Sequence, residues 1–300
     1  MKKRVIMAFT GGVQSSVCLH WLAHSGDYRV SAFAANLGQP GSLRRFGEHA
    51  LSLGADKAHL EDVRDEFCAD YVLPALKAGA VYGNCYLLSG ALARPLIADV
   101  MVRLAEDEAC NTVAHGAGPQ SSDLARFEQC IAALAPSMDL IGPGEIPPLQ
   151  TRQKAVDYAR KKGIMPDEKL KPALHMDRNL WGWAVEVDPL MDTGEELPEE
   201  VYELTTNPRE APDEPDEVEI AFEEGVPVSL DERELSPKDL ISELNQRAGR
   251  HGIGRTQVIE DSVSGIKARE VYERPAADVL TRAHTALEEL VLDYPTLELK

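Results

Sequence analysis

Over the first 165 residues the apolar positions follow two rhythms in turn. Short runs, RVIMAF, YRVSAFAAN, DKAHLED, NTVAHG and MDLIGP, are rich in apolar residues; the first runs into Thr-Gly-Gly and the others end at Asn, Asp, Gly or Pro. Between them apolar residues return every three or four positions, most clearly over 15–24 and 92–106. The first rhythm predicts strands and the second predicts helices. Their alternation predicts the α/β class, with a mostly parallel sheet flanked by helices. After Gly142 the texture shifts to GPGEIPPL, a helix over 151–162 and the turn-rich GIMPDEKLKP, which places a domain boundary near residue 165.

The second half, 166–300, reads as a smaller α+β domain. VEIAF and VPVSL flank a Glu-Gly pair and predict a hairpin. Leu240, Ile241 and Leu244 share one helical face, and Gly249 or Gly252 can end that helix in a left-handed conformation. Pro275 opens a last helix whose stripe is Val279, Leu280, Ala283, Leu287 and Leu290. No internal repeat or low-complexity tract is present.

Charge narrows the partners. The net formal charge is −19, which opposes extended contact with a phosphate backbone, so nucleic acid is not expected. Residues 192–224 hold 14 acidic residues against one arginine, Arg209, and so supply −13 of the −19; a solvated face is expected there. Five cysteines without a CxxC pair suit reduced, buried thiols in a cytoplasmic protein, and no stretch has the length or apolarity of a membrane span.

Candidate chemistry begins at FTGGVQSS. A strand ending in Thr10-Gly11-Gly12 and entering a helix at Ser15-Ser16 brings backbone N–H groups and the positive end of a helix dipole to one point. Such a point suits an anion, although an ordinary tight turn has the same residues. Neither GxxxxGK[ST] nor GxGxxG is present. A second turn, VAHGAGPQSSDLARFE, follows another strand at His115-Gly116 and enters a helix near Asp123, with Arg126 one turn inside. Ligands of open parallel sheets sit beyond the strand C-termini, where two such turns would face one crevice.

The ordered stretches FTGGVQSS, AANLGQ, YLLSGALARPLIA, VAHG with DLARFE, MDRNLWG, APDEPDEVEIAFEEGVPV, LNQRAGRHGIGR and IEDSVSGIKAREVYERPAADVL resemble the argininosuccinate synthase family over almost the whole chain. The resemblance implies an ATP pyrophosphatase (PP-loop, adenine nucleotide alpha hydrolase-like) domain over 1–165 and a substrate domain over 166–300. It also implies a ligase that adenylates the ureido oxygen of citrulline with ATP and magnesium, releases pyrophosphate, and lets the amine of aspartate displace AMP. By position, Ala8, Thr10, Gly11, Gly12, Gln14, Ser15, Ser16, Ala35, His115 and Gly116 would hold ATP, with no side chain singled out for the metal. Tyr86, Ser122, Asp123, Arg126, His175, Glu260 and Tyr272 would meet the substrates, Asp123 orienting the amine and Arg126 clamping a carboxylate. A homo-oligomer is implied, while the long tail through which such proteins form tetramers is not seen after AHTALEEL.

Departures from the family pattern gather at these positions. Thr10 and Gln14 stand for serine and aspartate, Gly90 and Ala91 for threonine and serine, and His175 and Ala184 for two serines. Residues 118–122, GPQSS, stand for threonine, glycine, lysine, glycine and asparagine. Lost hydroxyls and charges predict altered substrates, because unmatched polar groups of a buried ligand are costly. Two alternatives stand beside that reading: the authentic citrulline and aspartate reaction, and a nucleotide-binding homologue without turnover, suggested by Gln14 and Gln120. His20 and His24 lack the glutamate of a zinc helix, no hydrolase motif occurs, and Trp181 and Trp183 are left without a role.

Overall fold

The computed structural model describes residues 2–83, 85–119, 121–165, 175–187, 197–261, 265 and 267–300. Strands β1 (Lys3–Ala8), β2 (Tyr28–Asn36), β3 (Lys57–Asp62), β4 (Thr112–Ala114) and β5 (Asp139–Ile141) form one parallel sheet in the order β3-β2-β1-β4-β5. Along β1 the two-residue period divides the core. Val5 and Met7 face one side with α1 (Val13–His24) and α2 (Leu43–Ser52), while Ile6 and Ala8 face the other. Both faces are covered, as the near-continuous apolar strands require.

The Ile6 side is covered by α3 (Arg64–Glu66), a π-helical turn Phe67–Val72 and α4 (Leu73–Lys77) running as one stretch, then by α5 (Ser89–Asp107) and α6 (Ser122–Leu134). The Val5 side is completed by α7 (Arg152–Lys162), whose Ala155, Val156 and Ala159 are buried there. Strand order reverses between β1 and β4, so the turns leaving these two strands lie side by side at the C-terminal edge of the sheet.

A four-stranded antiparallel sheet follows, made of β6 (His175–Asn179) and β7 (Gly182–Val187) with two later strands. The predicted hairpin is β8 (Ile220–Glu223) and β9 (Val226–Leu230), extended by β10 (Arg233–Glu234). Its turn residues Glu224 and Gly225 both have positive φ, 51° and 79°, the backbone that tight hairpin turns need. Helix α8 (Pro237–Arg250) ends where Gly252 takes φ 71°; Gly249 stays inside the helix. Strands β11 (Arg255–Asp261) and β12 (Lys267–Glu273) give the sheet its order β11-β12-β7-β6. Helices α9 (Pro275–Val291) and α10 (Tyr294–Leu299) complete the described chain.

The predicted stripe of α9 is corrected at its far end. Ala276, Ala277, Leu280 and His284 form the buried side, whereas Leu287 is 37% and Leu290 79% exposed. The helix runs past the edge of the core after His284, whose Nδ1 meets Glu288 Oε1 at 2.8 Å. The halves are not separate cores: Leu240, Ile241, Leu244, Ala277 and Leu280 belong to the same buried cluster as Phe67, Leu96 and Met101.

Several side chains find structural explanations. Trp181 is buried and its Nε1–H donates to Leu87 O at 2.8 Å, while Trp183 lies beneath the Arg178 guanidinium. His20 stacks on His24, and the His20 Nδ1 and Tyr158 hydroxyl lie 2.9 Å apart. Cys18, Cys68 and Cys110 are buried, and burial pushes the Cys68 thiol up to about 12. In the acidic stretch, residues 192–196 lie outside the described residues; farther along, Asp216 pairs with Arg247 at 2.6 Å. Among the described residues no helix is long and apolar enough to cross a membrane.

Candidate active site

The turn after β1 is shaped by Gly11, whose φ of 73° side-chain-bearing residues rarely adopt. Gly12 is the N-cap of α1. No side chain caps this helix start, and its first turn has no acidic residue, so the unpaired amides typical of a helix N-terminus are left to an outside acceptor. Thr10 Oγ1 lies 3.0 Å from Ser15 Oγ, which donates to Gly12 O at 3.1 Å; this internal ring holds the turn open. The start of α6 contrasts with it, because Ser121 Oγ accepts from Asp123 N–H at 3.2 Å.

The two turns touch through backbone. A Cβ on Gly116 would stand 2.8 Å from Ser15 Cα and 2.9 Å from Ser15 N, so only glycine lets the β4 turn lie against the β1 turn. Above them opens a cleft with a cavity volume of about 470 Å³. Ala8, Thr10, Gly12, Gln14, Ser15, Ala35, His115 and Gly116 line it, joined by apolar Phe33, Leu37 and Ile97. A flat aromatic base against the apolar wall and phosphates against the uncapped helix start would fit such a cleft. His115 is 1% exposed and stacked on Phe127. Its Nδ1 accepts from Ala117 N–H at 3.2 Å, which leaves the buried Nε2 without a partner among the described residues. Burial, opposed by the Asp123 charge, lowers its pKa to about 4, so the ring is neutral at pH 7.

Two of the expected ATP contacts lie outside the lining of this cleft. Ser16 is fully buried with its Oγ 3.2 Å from His49 Nε2, and Gly11 backs onto the Phe46 ring; neither lines the cleft. Gln120 lies outside the described residues, as does the side chain of His175 at the start of β6.

Beside the cleft is a smaller pocket of about 90 Å³. It brings together Tyr86, Ser122, Asp123, Arg126, Glu260 and Tyr272, six of the seven residues expected to meet substrates. Tyr86 and Tyr272 stack with centroids 4.7 Å apart, and Tyr272 O–H donates to Glu260 Oε1 at 2.7 Å. Burial and that carboxylate raise the Tyr272 pKa, keeping it a phenol. Asp123 and Arg126 are already partnered. Arg126 donates to Asp123 Oδ1 at 2.9 Å, and Arg94 reaches Asp123 Oδ2 at 2.7 Å and Asp177 Oδ2 at 2.9 Å. Burial alone would lower the Arg94 pKa, but the two carboxylates outweigh it and hold the guanidinium charged. The cleft and the pocket share Arg94, Ser121, Asp123 and Asp177 as lining.

Arg94, Asp177, Glu186 and Glu270 were missed in the sequence. Arg94 is a lone charge in the apolar run GALARPLIA, a signal for a buried, paired cation. Glu270 stands two residues from the named Tyr272 on the same strand, hence on the same face, and Asp177 follows the named His175 by two positions. Gly90 also gains a reason: its N–H donates to Tyr86 Oη at 2.9 Å, and a Cβ there would collide with the Asp177 carboxylate. A side chain there would require the Asp177 carboxylate to shift.

Comparison with known proteins gives the family. The model of the Arginosuccinate synthase N-terminal HUP domain matches residues 4–165, and that of the Arginosuccinate synthase C-terminal domain matches 174–300. The argininosuccinate synthase of Carboxydothermus hydrogenoformans is 43% identical over 300 residues, covering 100% of this chain and 75% of that protein. Those of Pelotomaculum thermopropionicum and Symbiobacterium thermophilum are each 45% identical, over 99% and 97% of this chain and 74% and 73% of theirs. With both domain models matched in order and identity at this level across the chain, the protein belongs to the argininosuccinate synthase family.

Proposed function

We propose that this ATP-dependent, C–N bond-forming ligase catalyses the reaction in its relatives' name, joining citrulline to aspartate with release of AMP and pyrophosphate. The ureido oxygen attacks the α-phosphorus of ATP and pyrophosphate leaves; the aspartate amine then attacks the activated carbon and AMP leaves. The observation that supports this most is the shared wall of cleft and pocket, where Arg94, Ser121, Asp123 and Asp177 border both an uncapped helix start and a polar acceptor pocket. Catalysis here rests on positioning and on stabilising the charge of the leaving groups.

In this reading residues 1–165 bind ATP and 166–300 shape the acceptor pocket. Ala35 lies by the adenosine, and the turn amides with Thr10 and Ser15 hold the phosphates. The turn has no carboxylate, Gln14 standing in its centre, so no side chain of the turn would serve as a charged ligand to a magnesium ion accompanying ATP, whose role would be to neutralise the leaving pyrophosphate. Asp123 orients the incoming amine. A second reading, the same chemistry on a different carbonyl partner, is favoured by Gly90 and Ala184 in the pocket wall, which offer no side-chain hydroxyl. Pyrophosphate release and product mass with ATP, citrulline and aspartate separate the two. Argininosuccinate at a kcat above about 1 s⁻¹ supports the first; pyrophosphate formed only with other ureido compounds replaces it with the second, and none with any pair overturns both.

A further inference from the structure

The wall of the large cleft carries three guanidiniums, those of Arg94, Arg152 and Arg178. Two of them are engaged. Arg94 is held by Asp123 and Asp177, and Arg178 pairs with Glu203 while lying 4.6 Å from the Trp183 ring centroid. Arg152 differs: its side chain is exposed, and among the described residues it makes no hydrogen bond and no ion pair. It is the first residue of α7, directly after the N-cap Thr151, whose Oγ1 accepts from Lys154 N–H at 3.2 Å. A cation at that place opposes the helix dipole, and no acidic residue stands in the first turn of α7 to answer it.

The packing of α7 on α1 fixes where this cation stands. Ala155, Val156 and Ala159 are buried in one cluster with Val17 and Cys18, and the Tyr158 hydroxyl meets His20 Nδ1 at 2.9 Å. Six residues back from that contact, about 9 Å along each helix, come Arg152 on α7 and Gln14 on α1. Both line the cleft, so the two helices run side by side with their N-termini toward it. The β1 turn contains no lysine, and α1 begins without a side-chain cap or an acidic residue. An unengaged guanidinium on the neighbouring helix supplies the positive charge that the turn itself lacks.

We propose that Arg152 grips the pyrophosphate end of ATP. This deepens the ligase reading above and rests on it. As the ureido oxygen bonds to the α-phosphorus, the bond from that phosphorus to its bridging oxygen breaks and the electron pair leaves on pyrophosphate; the Arg152 fork meets that charge with paired N–H donors. Calorimetry with ATP, pyrophosphate and AMP, each with magnesium at one ionic strength, tests it on the parent protein, R152Q, R152K and R160Q. Arg152 faces the leaving end alone, so R152Q is expected to weaken ATP and pyrophosphate at least tenfold and AMP less than twofold. R152K keeps the charge without the fork and falls between. R160Q removes a charge from the same helix about 12 Å away and leaves all three ligands within twofold. Melting curves check each variant; should R152Q melt well below the parent, the same comparison made with R152K decides. Equal losses for ATP and AMP, a loss matched by R160Q, or no loss at all overturns the role, as does a parent protein that binds ATP no more tightly than AMP. With citrulline and aspartate, kcat/KM for ATP falls at least tenfold in R152Q, and an unchanged value overturns the role as well. Should the parent release no pyrophosphate with any substrate pair, the ligase reading fails by itself, and the ratio of ATP to AMP binding still decides Arg152.

Discussion

Two groups, the half-buried Glu270 and the buried His115, turn the site into a record of its own protonation. Glu270 has a folded pKa of about 8, above the ordinary carboxyl value, so the folded chain binds its proton more tightly than the unfolded one. Its contribution to stability is full below the unfolded pKa and is lost as pH rises through 8. His115 runs the other way: with a folded pKa of about 4, its contribution is full above the unfolded value near 6.5 and is lost as pH falls toward 4. Between about pH 6.5 and 8 only the Glu270 slope remains. Thermal melts without ligand are therefore expected to fall in Tm across that window. E270Q is expected to flatten the fall and to melt roughly 4 °C higher at pH 8.5, the shift that about 2 kcal/mol gives in a chain of this size. A parent Tm constant from pH 6.5 to 8.5 would show that the Glu270 carboxyl is ionised throughout.

At the scale of elements, function depends on how closely the β1 and β4 turns approach. G116A places a methyl against Ser15 backbone, and a backbone cannot swing aside as a side chain does. The turns must part by several tenths of an ångström, so the KM for ATP is expected to rise at least tenfold while the melting temperature falls by only a few degrees; an unchanged KM in steady-state assays would remove the close approach from ATP binding. A second support is Glu273 at the end of β12, 1% exposed, whose carboxylate accepts from the N–H groups of Glu203, Leu204 and Thr205 and from Thr205 Oγ1. E273A removes the acceptor of three amides, the buried Thr205 N–H among them, and is expected to cost about 3 kcal/mol in urea denaturation; a loss below about 1 kcal/mol would mean that water replaces the carboxylate. The elements themselves were legible from sequence because strand and helix periods are local. FTGGVQSS revealed its helix start for the same reason. The pairing of Arg94 with Asp123 and Asp177 was not legible, since it joins positions 29 and 83 residues apart that only the fold brings together. The Ser16–His49 contact was equally out of reach of the sequence, since it joins α1 to α2 across 33 positions.

For the whole molecule, the boundary near residue 165 read from composition marks a change of architecture but not a break in packing. Leu240, Ile241 and Leu280 from the second half fill the same core as Phe67, Leu96 and Met101 from the first, and the Arg94–Asp177 pair ties the halves at the site itself. Removing either half would expose large apolar side chains, at about 25 cal/mol for each Å² returned to water. Sequence periodicity could not show this, because it identifies which face of a helix is buried and not which partner buries it. Such a core predicts that the halves unfold together. Tryptophan offers a direct measure, since Trp21 packs within the first half and Trp181, from the second, is buried in the core that both halves share. Variants retaining only Trp21 or only Trp181 are expected to give fluorescence transitions in urea whose midpoints, each corrected for the loss of stability caused by the substitutions, coincide with one another and with the circular dichroism transition. If the Trp181 signal were lost well before the Trp21 signal, the second half would be an independently opening unit, and the acceptor pocket between them would assemble only when ATP draws the halves together.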